Sequence, residues 1–252
     1  MALTPLHAIL IFVAGVAAGT INAVVGSGSL ITFPTLIALG YPPVLANVSN
    51  NIGLVPGGLS GVYGYRRELT GQRDRITTLA IASVLGGVAG SILLLVLPGS
   101  VFSDVVPVLI VIALGLVIFG PRLSKRVAAR GGDGHASITP LLMACVFGTG
   151  LYGGYFGAAQ GIILISLLAI FLDDHLQRLN GAKNVLVLSV NATASIVFVI
   201  GHAIDWKVVG IIAVGSVVGG QLGATVGRRL APTILRIVIV AVGLVAVIRL
   251  LT

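Results

Sequence analysis

Long apolar runs separated by short polar breaks set the pattern of this chain. The runs fall at about 6–21, 30–40, 43–65, 76–97, 104–120, 138–153, 160–172, 181–201, 207–227 and 233–251. A helix that crosses a bilayer needs about 20 apolar residues, with a range near 17–25. Segments 43–65, 76–97, 181–201, 207–227 and 233–251 meet that length easily, and 104–120 just meets it. The other four are short and fall into two pairs, each joined by a glycine-rich stretch: NAVVGSGS in the first and YFGAAQG in the second. The pattern therefore predicts helical hairpins at 6–40 and 138–172, each a pair of short helices around a broken tip. Non-helical backbone at such a tip is tolerated only where protein or water satisfies it.

The pattern also repeats. A shift of 133 positions brings Gly15 onto Gly148, Asn47 onto Asn180 and Asn51 onto Asn184. Further along, the same shift brings Gly86, Gly87 and Gly90 onto Gly219, Gly220 and Gly223. At the tips a shift of 131, Gly26 onto Gly157, matches equally well. This reads as an internal duplication, with a first repeat at 1–121, a linker at 122–137 and a second repeat at 138–252. A hairpin returns the chain to its starting side, and three spans follow it in each half. That odd number of crossings inverts the second half. The predicted fold is an all-α polytopic membrane protein of two inverted repeats, each a broken helical hairpin plus three transmembrane helices. This topology puts twelve Lys and Arg residues on one side and two on the other, with Lys183 inside a helix. The basic side is the cytoplasmic one by the positive-inside rule.

Composition agrees with a chain in lipid. Of its 252 residues 57% are hydrophobic and 9% charged, against about 25% charged in a soluble domain. The 35 glycines fit closely packed membrane helices. A net charge of +8 invites a nucleic-acid reading, but the basic residues lie mainly in short loops, so no nucleic-acid partner is expected. The start MALTPLH has no Lys or Arg and does not read as a signal peptide. Cys145, the one cysteine, excludes an internal disulfide and is read as a small core residue.

Candidate chemistry is sparse. No hydrolase, kinase or dinucleotide signature occurs, and GSGS at 26–29 lacks the Gly-Lys-Ser/Thr of a phosphate loop. His7, His135, His175 and His202 show no metal-ligand spacing, so no metal and no cofactor are expected. Residues 1–65 contain no Asp, Glu, Lys or Arg, yet they carry Asn22, Ser27, Ser29, Asn47, Asn50 and Asn51. Asn47, Asn50 and Asn51 share one helix face at i, i+3 and i+4, and Asn180, Lys183 and Asn184 repeat that spacing. Asn191 continues the second face two turns on. Amides and an ammonium donate hydrogen bonds to oxyanions, and both clusters are placed in first helical turns, where an anion is favoured. Lys183 falls inside the span 181–201, and an intramembrane ionisable group marks function by default. Tyr155 and Gln160 correspond to Asn22 and Ser27 in the 133 register and are expected to line the site from the second tip. Interhelical bonding between packed helices is the competing role for all of these residues.

At these residues the chain resembles the sulfite exporter TauE/SafE family of membrane transport proteins. The resemblance rests on GTINAVVGSGSLITFP at 19–34, ANVSN at 46–50, YGYRREL at 63–69 and GLYGGYFGAAQG at 150–161. In the second copy AAQG stands where a richer glycine run is usual, and no proline follows as Pro34 does in the first. The resemblance implies a multi-pass protein of the bacterial cytoplasmic membrane that moves small sulfur-containing or organic anions, such as sulfite or sulfonates. Export is the expected direction. A channel or carrier for another solute and a non-transporting scaffold subunit stay open, and so does a homodimer.

Overall fold

The computed structural model describes residues 3–128 and 138–225, together with 237, 239–245 and 248. Every element among them is a helix: α1 (Pro5–Val24), α2 (Ser29–Ala38), α3 (Pro43–Gly64), α4 (Arg73–Val96), α5 (Gly99–Ala128), α6 (Pro140–Tyr155), α7 (Gln160–Phe171), α8 (Leu176–Gly201) and α9 (Trp206–Thr225). Most of the expected span 233–251 and most of the 122–137 linker lie outside the described residues. Among the described residues, five helices are long and apolar enough to cross a membrane: α1, α4, the Gly99–Phe119 part of α5, α8 and α9. The chain is a multi-pass membrane protein.

Local sequence explains the starts and breaks. Thr4 and Thr139 cap α1 and α6, each accepting a backbone N–H into its hydroxyl, and Pro5 and Pro140 follow at the first helical position. Both hairpins break in the same way. The N–H groups of Val25 and Gly26 both reach the Ile21 carbonyl, and those of Phe156 and Gly157 both reach Tyr152. Gly26 (φ +84°) and Gly157 (φ +77°) close these ends in the left-handed region, where glycine carries no Cβ penalty.

Three expectations need correction. The first hairpin is not a pair of short legs, because α1 is 20 residues long and α2 only 10. The polar end of the α1 run, Thr20 and Asn22, stays helical because packing protects it. The segment at 104–120 is the middle of a longer helix, since α5 runs from Gly99 through the first seven residues of the expected linker. Segment 43–65 matches α3, but its asparagines and glycines make it too polar to count among the five apolar spans.

Helices approach each other where glycine permits. α1 packs against α9 and α4 against α6; α3 and α8 lie together between these pairs, with α9 on α3 and α4 on α8. At the first contact Gly15 and Gly19 face the backbone of Ile212 and Ser216, and Gly219 faces that of Val16 and Thr20. At the second, Gly86 and Gly90 face the Phe147 and Leu151 carbonyls, and Gly154 faces Gly87. The repeated GGxxG of the sequence is thus a packing device for close helix pairs. Leu6, Ile9 and Val13 on α1, Ile81 and Leu85 on α4, and Ile196 and Ile200 on α8 are exposed, as lipid-facing residues are.

Two loops pair at one end of the bundle. Arg75 and Arg178 both bond Asp174, at 2.6 and 2.9 Å, and Arg178 also donates to the Thr70 carbonyl at 3.1 Å. The α3–α4 loop and the α7–α8 loop therefore lie together. Burial alone would raise the Asp174 carboxyl, but hydrogen bonds from Arg75, the His175 N–H and Arg178 outweigh it and hold it below its ordinary value.

Candidate transport site

The two hairpin tips touch through backbone. The Gly161 N–H donates to the Gly26 carbonyl at 2.9 Å. A Cβ on Gly26 would lie 2.5 Å from the Gly161 Cα, so only glycine fits this crossing. On either side sit buried polar atoms that have no partner among the described residues: Ser27 Oγ and both amide atoms of Gln160, the latter residue 1% exposed. Ser29 opens α2 and Gln160 opens α7. These two residues are 131 positions apart, so the tip follows the 131 register, and Gln160 matches Ser29 rather than Ser27.

The asparagine faces do not sit in first turns. Asn47 is the fifth residue of α3, and Asn180 is the fifth of α8, because α8 begins at Leu176 and not near residue 181. Free N–H groups belong to the first four residues of a helix, so neither cluster uses a helix N-terminus. Both instead reach the broken C-terminal end of the opposite hairpin. The Asn47 amide nitrogen donates to the Tyr155 carbonyl, the last residue of α6, at 3.0 Å. The Asn184 amide donates to the Ala23 carbonyl at 3.2 Å, and Asn180 reaches the same carbonyl at 3.4 Å and the Tyr65 hydroxyl at 2.8 Å. The Lys183 ammonium, 0% exposed, donates to the carbonyls of Asn22 at 3.2 Å and Ala23 at 3.5 Å. These donors satisfy carbonyls that the helix ends leave open, and a cation there complements the helix dipole.

The remaining asparagines join elements. Asn50 accepts a hydrogen bond from Thr32 on α2. Asn51 donates to Asn191 Oδ1 at 3.4 Å and accepts from Ser195 Oγ at 2.9 Å, tying α3 to α8. Tyr155 contributes its carbonyl to Asn47, while its ring packs edge-on against Phe102, 5.6 Å between centroids.

Between these groups lies a small recess lined by Asn22 and Ala23 of α1, Gly57, Gly58 and Gly61 of α3, and Asn184, Val187, Leu188 and Asn191 of α8. Asn22 Oδ1 is occupied by the Gly28 N–H at 3.1 Å, but the Asn22 amide nitrogen donates to nothing among the described residues. The Asn191 nitrogen is likewise unused, its oxygen being taken by Asn51. Three of the twelve expected site residues thus line one recess, Lys183 stands behind its wall, and the other eight brace the helices around it or flank the tips.

A model of the family described as sulfite exporter TauE/SafE matches residues 11–250. The chain belongs to this family. Among TauE/SafE relatives, a probable membrane transporter protein of Haemophilus influenzae is 29% identical over 235 residues, covering 92% of this chain and 89% of its own. One named ORF9 from Sinorhizobium is 27% identical, with 96% and 91% covered. YfcA of Escherichia coli K12, also named a probable membrane transporter protein, is 26% identical, with 96% and 88% covered. No solved structure matches the chain.

Within this TauE/SafE chain, sequence reasoning missed Thr32, Tyr65, Ser195 and the wall glycines Gly57, Gly58 and Gly61. Ser195 was within reach, since it extends the Asn184–Asn191 face by one more turn. Thr32 and Tyr65 carried no local signal, because their partners are on other helices. The glycines read only as packing residues until the recess placed them.

Proposed function

We propose that this protein is a secondary transporter of small sulfur-containing or organic anions, such as sulfite or sulfonates, across the cytoplasmic membrane. The recess carries the reading. It offers the unused amide nitrogens of Asn22 and Asn191, beside an ammonium that pairs with no carboxylate among the described residues. Amide donors near an uncompensated positive charge favour an oxyanion. Lys183 supplies charge through the wall; the asparagines supply contact. Asparagine amides do not ionise at neutral pH, which favours a carrier over an enzyme.

Alternating access would rock one inverted repeat against the other. Several features support that architecture. α8 begins 133 positions after α3, and α9 begins 133 after α4. α1 packs on α9 as α6 packs on α4. The α3 and α8 asparagines cap the opposite hairpin reciprocally. A ligand at 100 times its Kd stabilises a protein by about 2.7 kcal/mol. A thermal-shift screen of the purified chain against sulfite, sulfate, methanesulfonate and sulfoacetate should therefore show saturable stabilisation by at least one sulfur oxyanion. A flat screen would favour a scaffold subunit and oppose the carrier reading.

A further inference from the structure

Lys183 is held by the end of a helix and not by a counter-charge. The Asn22 and Ala23 carbonyls belong to the last turn of α1, where C=O groups lack intrahelical partners and carry the negative end of the dipole. Broken membrane helices offer such carbonyls to monovalent cations. Here the cradle is filled by the chain's own ammonium. Asn180 and Asn184 bond the same Ala23 carbonyl, and Asn22 and Asn184 also line the recess, so cradle and recess share a wall.

The ionisable groups around Lys183 are few. α7 carries none, α1 has only His7 at its opposite end, and α3 ends in the exposed Tyr63 with Tyr65 just beyond, its hydroxyl held by Asn180. The α3–α4 loop adds Arg66, Arg67 and Glu68, the last packed against Gly181 of α8. α6 brings Cys145, Tyr152 and Tyr155, and α4 brings Arg73, Asp74 and Arg75 at its first turn, where Arg75 bonds Asp174 near Arg178 of α8. None of these carboxylates reaches Lys183. An anion in the recess would compensate a charge that pairs with no carboxylate among the described residues.

We propose that Lys183 is the proton-coupling group of this carrier, a tethered cation that binds a proton together with the anion and gives it up when the anion leaves. The step is a simple protonation: the neutral amine takes H⁺ from water on the loading side, and the ammonium returns it on the release side. One proton travels with each monoanion. Loss of the proton removes the charge behind the recess and weakens the hold on the α1 end; by linkage, the anion favours the proton as much as the proton favours the anion. The inference rests on the anion-carrier reading above.

The test uses the full chain in proteoliposomes containing a trapped pH dye, with labelled sulfite and labelled methanesulfonate, a permanent monoanion, as probes. Exchange at equal pH tests the carrier reading by itself; no exchange of either probe overturns that reading and this inference with it. Given exchange, a pH gradient of one unit, acid outside and with the membrane potential clamped, is expected to drive about tenfold accumulation of methanesulfonate. The dye should record matching proton entry. Exchange without gradient-driven accumulation overturns the coupling alone. In Lys183→Ala the gradient response is lost, and millimolar methylammonium, refilling the cradle, restores exchange several-fold. A Lys183→Ala protein that still accumulates methanesulfonate in response to the gradient also overturns the proposal. If that variant does not fold, Lys183→Gln, which keeps a donor to the α1 carbonyls but no titratable charge, takes its place: it should lose the accumulation, and keeping it overturns the proposal.

Discussion

Gly26→Ala attacks the point where the two hairpins cross. Gly26 has φ +84°, and its added Cβ would stand 2.5 Å from the Gly161 Cα, 2.9 Å from the Gly161 carbonyl carbon and 3.3 Å from Lys183 Cδ. Two costs follow. An alanine in the left-handed region costs about 1–2 kcal/mol. Forcing a methyl against backbone costs about 1–3 kcal/mol more, because backbone cannot swing aside as a side chain can. Together they make about 2–5 kcal/mol. For a chain of this length each kcal/mol lowers Tm by about 2–4 °C, so the melt should fall by roughly 4–20 °C. The assay is thermal unfolding of purified protein in one detergent, beside Gly61→Ala as control. Gly61 is helical, and its added Cβ meets only Ala23 Cβ at 3.6 Å, an ordinary contact. That variant should melt at or slightly above the parent, since alanine favours a helix interior by about 1 kcal/mol over glycine. If Gly26→Ala melts within about 2 °C of the parent, the tips do not cross as described.

Other predictions concern separate parts of the site. Gly61→Ala places a methyl in the recess wall and should slow anion exchange while preserving the melt, read by counterflow and unfolding on the same preparation. Gln160→Met removes a buried amide that has no partner among the described residues, so stability should rise by roughly 1–3 kcal/mol of relieved desolvation and Tm with it. A fall in Tm would mean the amide is bonded. Asn51→Ala leaves Ser195 Oγ and Asn191 without their shared partner and should cost about 1–3 kcal/mol in the same melt. Asp174→Asn should cost about 1 kcal/mol at neutral pH. The folded Asp174 carboxyl lies below its ordinary value, so its contribution is present above about pH 4 and lost as pH falls through the folded value. Parent and variant melts should therefore converge in acid.

Much of the architecture was legible along the chain. The glycine-rich breaks fall where α1 gives way to α2 and α6 to α7. Such breaks are properties of single segments. GGxxG reads in the sequence as part of a duplication, and its role where α4 meets α6 and α9 meets α1 emerges only from the fold. The asparagines were found but not their duty. Spacing put Asn47 and Asn180 on one face each, but only the fold shows what that face meets, the end of a hairpin from the other half of the chain. The helix start was misplaced for a physical reason. Gln177 and Arg178 look like loop residues, yet α8 includes them because Arg178 is anchored by Asp174 at its first turn. That displacement moved Lys183 from a helix N-terminus to the carbonyl end of α1 and changed its chemistry from anion contact to cation in a cradle. The recess could not be foreseen, since its glycine wall and its asparagines come from three helices.

Counterflow in proteoliposomes tests the central claim most directly. Vesicles loaded with unlabelled sulfite or sulfonate should take up the labelled anion transiently and saturably, above protein-free vesicles. The uptake should fall with competing sulfur oxyanions, stay unchanged with sodium, and decrease in Asn191→Ala. No protein-dependent uptake of any sulfur oxyanion or sulfonate, or uptake that only cations compete, would contradict the account.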